Sequence, residues 1–113
     1  MWKSERKALR ADGICGFGLR MVIGVVVWEL QLPGCNTLKE KRSVLKSLKD
    51  RLHNQFNVSV AETAYHDEHR RAELTACVAS TDRTHANSVL SSLDRFVEVA
   101  PGLRVGDSYT TYY

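Results

Sequence analysis

The feature that most constrains this chain is the apolar run Val22-Ile23-Gly24-Val25-Val26-Val27-Trp28-Glu29-Leu30-Gln31-Leu32. Its first half is apolar on both alternating faces, and its second half alternates apolar with polar. A strand that is greasy on both sides needs strand neighbours and cover, so the run is expected to be an interior strand. Pro33-Gly34 ends it with a turn. The rest of the chain has to supply its neighbours and its cover.

The cover comes as two helices. Thr37-Leu38-Lys39-Glu40 fits a capping box, with Thr37 as N-cap and Glu40 reaching back to its amide. The helix should run to about Gln55. Leu38, Leu45, Leu48, Leu52 and Phe56 fall on one side of it, with Val44 at the edge. Lys41 also points toward the apolar side, and its stem is expected to snorkel past the core edge in a structural role. Ser80-Thr81-Asp82 offers caps for a second helix, from about Arg83 to Val99, with the apolar stripe Ala86, Val89, Leu90, Leu93, Phe96 and Val97. Pro101-Gly102 stops it.

The neighbours come as three more strands. These are Val58 to about Tyr65, Arg71 to Ser80, and Leu103 to about Tyr112, with His66 to Arg70 as the hairpin connection between the first two. The order is β-α-β-β-α-β, and the first and third strands are the more apolar pair. That places them in the middle of an antiparallel sheet ordered 4-1-3-2, with both helices on one face: a ferredoxin-like α+β domain.

With 113 residues, 43% hydrophobic and 26% charged, the chain has the size and composition of one globular domain. The domain is expected to span residues 21–113. Residues 1–20 differ from it, being basic and interrupted by Gly13, Gly16 and Gly18. Their apolar stretch is too short for a secretory signal. The segment reads as a disordered basic arm, a targeting peptide, or translated sequence upstream of a start at Met21, and the abrupt change there favours the last. The net charge of +3 resides in this segment; from Met21 onward Lys and Arg balance Asp and Glu. Cys15, Cys35 and Cys77 are odd in number and far apart, which points to reduced thiols. No apolar run approaches a membrane span.

Three blocks, Thr37-Leu38-Lys39-Glu40-Lys41-Arg42-Ser43-Val44-Leu45-Lys46-Ser47-Leu48, Phe56 to Glu62, and Ser80 to His85, together resemble the YlxP-like family of small bacterial proteins of unknown function. The likeness covers about Met21 to Glu98. It implies a ferredoxin-like fold and a cytoplasmic protein, often encoded beside translation and ribosome-maturation factors. It carries over no catalytic residues. Where family members tend to have an aromatic-Gln-Arg-Ala run, this chain has His69-Arg70-Arg71-Ala72.

The residues themselves offer one candidate site. Lys39, Arg42, Lys46 and Lys49 are spaced to line one flank of the first helix, and His53 continues the stripe. It would extend roughly 21 Å, enough to meet several successive phosphates. The helix from Thr37 to Phe56 carries six Lys and Arg against two Asp and Glu, so the rest of the domain is acidic. The plainer alternative is a solvated helix face. The leading expectation is a non-enzymatic protein that contacts RNA, with ribosomal RNA or the small ribosomal subunit as partner.

The rival is a homodimeric interaction module using the open sheet face. If Val26, Trp28 and Leu30 face the helices, that face shows Val25, Val27, Glu29, Thr75 and Cys77, and Val25 and Val27 are the candidate interface residues. With no aromatic among them, base stacking of the RRM kind is not expected. Tyr109, Tyr112 and Tyr113 are expected to pack along the edge strand or fray. His66-Asp67-Glu68-His69 falls short of a zinc site and reads as exposed turn residues. Neither a nucleophile elbow nor a phosphate loop is present, and no cofactor, metal or small-molecule ligand is expected.

Overall fold

The computed structural model describes residues 21–113, and the expectations for residues 1–20 lie outside them. The elements are β1 (Val22–Gln31), α1 (Leu38–Gln55), β2 (Ser59–Ala64), β3 (Arg71–Ser80), α2 (Arg83–Glu98) and β4 (Arg104–Tyr112). The four strands form one antiparallel sheet in the order β2-β3-β1-β4. This is the expected 4-1-3-2 order seen from the other edge, and the fold is ferredoxin-like.

Strand parity sets the two faces. Val26, Trp28 and Leu30 of β1 and Ala72, Leu74, Ala76 and Val78 of β3 point to the helices and are buried. They meet Leu45, Leu48 and Leu52 of α1 and Ala86, Leu90, Leu93 and Val97 of α2. Full burial of each Leu contributes about 1.5–3 kcal/mol. Gly24 lets α2 come close, since a Cβ there would lie 2.9 Å from Leu90 Cδ1. Trp28 is wholly buried, yet its indole N–H finds a partner by donating to Asp94 Oδ1 of α2 at 2.8 Å.

Both helices begin on side-chain caps. Glu40 N–H donates to Thr37 Oγ1 at 3.1 Å, and Thr84 N–H to Asp82 Oδ1 at 3.1 Å. The return arm of the first capping box differs from expectation: Glu40 Oε1 accepts from Asn36 N–H, one residue before the cap, at 2.6 Å.

Two bulges change strand parity. Opposite β1, the register slips so that Trp28 pairs with Ser108 but Leu30 with Val105. The extra residue turns Val105 toward the core and Tyr109 toward the open face. Gly106 sits at this point, where a Cβ would lie 3.4 Å from the Glu29 carbonyl oxygen. A second slip lies between Glu62 and Ala64 of β2.

Candidate nucleic-acid interface

All five residues of the predicted stripe lie on α1. Lys39, Arg42, Lys46 and His53 are exposed and Lys49 is half-buried. The opposite flank of the helix turns to α2: Arg51 stacks over the Phe96 ring at 5.7 Å, and Phe56 meets Phe96 edge to face. The stripe therefore stands on the side away from α2. Within it, Lys46 pairs with Asp50 one turn on, at 3.0 Å. That pair is highly exposed and is worth only a few tenths of a kcal/mol, so a phosphate could displace the carboxylate.

Lys41 departs from expectation. It does not snorkel; its side chain is 1% exposed. Its ammonium donates to the carbonyl oxygens of Tyr65 at 2.7 Å, Glu68 at 2.6 Å and Arg71 at 2.9 Å. Those bonds use all three of its N–H groups. Glu62 Oε2, 2.8 Å away, has no hydrogen-bond partner of its own and serves as the counter-ion. Lys41 thus clasps the β2–β3 hairpin onto the first turns of α1. Tyr65, at the start of the hairpin, has a φ of 64°, the left-handed turn that presents its carbonyl to the clasp.

The hairpin also brings in a base that sequence spacing along α1 could not reveal. Arg70 donates through Nε to the Cys35 carbonyl at 3.1 Å and through Nη2 to Asn36 Oδ1 at 3.0 Å. It is exposed and fixed beside the start of α1, at the Lys39 end of the stripe. His66, by contrast, spends Nε2 on the Glu62 carbonyl at 3.1 Å. Among the described residues no three His, Cys, Asp or Glu side chains converge as a metal site.

With this geometry in hand, known proteins place the chain. The family model for proteins of unknown function DUF503 matches residues 23–110, nearly the whole described domain. The chain belongs to the DUF503 family. The uncharacterised protein YlxP of Bacillus subtilis (strain 168) is similar to it, 32% identical over 80 residues that cover 71% of this chain and 87% of YlxP. Among solved structures, the de novo designed protein Foldit4 matches with a TM-score of 0.48 at 14% identity, over 80% of this chain and 96% of that one. SnoaB, a cofactor-independent oxygenase from Streptomyces nogalater, matches with a TM-score of 0.47 at 13% identity, over 80% and 90%. At these identities nothing about activity follows.

In this DUF503 chain the open face of the sheet is uncharged over most of its extent. Strand parity turns Val25 and Val27 to this face, with Thr75 and Cys77 beside them, but Val25 is half-buried and Val27 is buried, so neither stands out from the face as the open-face expectation supposed. What the residues of β1 and β3 could not reveal is that β4 adds aromatics. Tyr109 is 63% and Tyr113 74% exposed. The tyrosines neither fray nor stay together: Tyr113 exchanges backbone hydrogen bonds with Ile23, while Tyr112 turns to the helices, donates to Asn87 Oδ1 and lies under Arg83. At one end of the face Arg71 stacks on Tyr65, 3.8 Å from its ring centre, and donates to Glu29 Oε2 at 2.9 Å. Burial works against the Arg71 charge, but the hydrogen bond to Glu29 and the fields of Tyr65, Glu29 and Glu68 outweigh it and hold its pKa above the ordinary value. Among the described residues, no helix is long and apolar enough to cross a membrane.

Proposed function

We propose that this chain is a cytoplasmic, non-enzymatic accessory protein that holds ribosomal RNA of the small subunit through phosphate contacts along α1. Lys39, Arg42, Lys46 and Lys49 make the contacts, His53 extends the row, and Arg70 closes it at the other end. The observation that carries this reading is the row of cationic side chains on one solvent-facing flank of a single rigid helix. Along that flank the bases follow the axis at one-turn intervals over roughly 21 Å, a spacing suited to successive phosphates of one strand. The acidic balance of the rest of the domain confines the attraction to this flank and would orient the protein as it approaches. The family resemblance adds a neighbourhood of translation and ribosome-maturation genes, which is why ribosomal RNA is named.

The test is co-sedimentation of the full chain with small ribosomal subunits at low salt. The double variant Lys46→Glu/Lys49→Glu should abolish it while leaving the circular dichroism spectrum unchanged. Undiminished binding by the double variant would sink the proposal.

A further inference from the structure

The second surface is the open sheet face, on the opposite layer from α1, and the inference drawn from it does not depend on the RNA reading. We propose that it is the contact between two copies of this chain, related by a two-fold axis parallel to the strands between β1 and β3.

The argument starts from cross-strand register. Ala61 pairs with Thr75, Thr75 with Val27, and Val27 with Tyr109. These four side chains form one row across the sheet from the β2 edge to the β4 edge. The row rises from a hollow to a knob. At the β2 side, Ser59, Ala61, Thr63, Thr75 and Cys77 line a shallow depression of about 270 Å³. At the β4 side, Tyr109 stands 63% exposed. A two-fold axis along the strands lays β4 of one copy over β2 of the other at the same height. Each Tyr109 then enters the partner's hollow above Ala61, and Thr75 of each copy meets Val27 of the other. This is an isologous contact, in which one match of knob and hollow is made twice.

Charge favours a second copy over a charged partner. The next row, Thr111-Val25-Cys77-Ser59, is uncharged, and so is the Ile23–Ala79 pair beyond it. The charged groups gather at the other end, where Arg71 pairs with Glu29, and Glu73 accepts from Thr63. That end would form the polar rim while the uncharged rows form the core, the usual anatomy of a stable contact. The rotation sets Glu29 of one copy near Glu73 of the other, close to the axis, and the Arg71 of each copy, bonded to its own Glu29 at 2.9 Å, offsets the repulsion there. Size is adequate as well. Strands of ten, six, ten and nine residues, at about 3.4 Å per residue and about 4.8 Å apart, offer about 570 Å² per copy, or about 1,140 Å² in all, above the roughly 1,000 Å² that a specific contact needs. The α1 ridges face outward on both sides of such a pair.

The test is sedimentation equilibrium of the full chain, whose monomer is 12.7 kDa. Wild type should weigh twice that. Tyr109→Lys and Ala61→Glu, each alone, should weaken the dimer about a hundredfold by setting an unpaired charge in the contact. An equimolar mixture of the two variants should recover dimers, because one contact becomes a Lys–Glu pair and the other remains wild type. Folding of each variant is checked by its unfolding transition, and recovery in the mixture excludes misfolding as the cause. A monomeric full chain overturns the proposal, including the case in which removing residues 1–20 then yields a dimer, since the occupant would be that segment. A dimer indifferent to both substitutions, or two variants that stay monomeric when mixed, overturns it equally.

Discussion

Lys41 and Lys46 stand five residues apart on one helix and have opposite surroundings. Lys41 is buried on the inner side, with three carbonyls and a carboxylate around its ammonium. Lys46 is 77% exposed on the outer side, with one exposed carboxylate for company. The helix thus presents one cation inward to hold the fold and a row of cations outward to solvent, the row proposed above to meet RNA. Residue type does not separate the two roles. What separates them is whether neighbouring backbone has been folded to satisfy the charge, because a buried ammonium without partners is far costlier than a solvated one.

Substitution can sharpen or break this contrast. The largest effect is expected for Lys41→Met, which leaves the three carbonyls and the Glu62 carboxylate without a cation. Urea unfolding should show a loss of about 3–5 kcal/mol. Adding Glu62→Gln should return part of it, since the unpaired charge is then gone. A loss under about 1 kcal/mol for Lys41→Met would remove the distinction between the two sides, because that is the scale of surface changes. Arg70→Ala is the intermediate case. It cuts two hydrogen bonds between the hairpin and the β1–α1 turn, and should cost about 1 kcal/mol in the same measurement. Lys39→Met on the outer flank should change stability by less than about 0.5 kcal/mol, with its effect confined to binding.

Much of this molecule was legible in the sequence because the signals were local. Leu45, Leu48 and Leu52 repeat at helical spacing, Thr37 and Glu40 mark the start of α1, and the two-sided apolarity of Val22 to Val27 marks an interior strand. The stripe on α1 needed only helix geometry. What was not legible depended on distant pieces of chain. The wheel angle of Lys41 shows that it points inward, but not that Tyr65, Glu68 and Arg71 turn three carbonyls toward it. Arg70 joins the end of the stripe only because the hairpin folds back on Cys35 and Asn36. Tyr109 reaches the open face only because a bulge inserts one residue opposite Glu29. Val105 and Tyr109 are four residues apart, and plain alternation would have put them on the same side.

The most direct test of the outward role is the salt dependence of binding to ribosomal RNA. Four Lys and Arg contacts predict a log-log slope of about −3 to −4, and each neutralising substitution, such as Lys49→Ala, should make it shallower by about 0.7 on single-stranded or 0.9 on duplex RNA. A slope near zero, or one unmoved when Lys46 and Lys49 are both neutralised, would contradict the account.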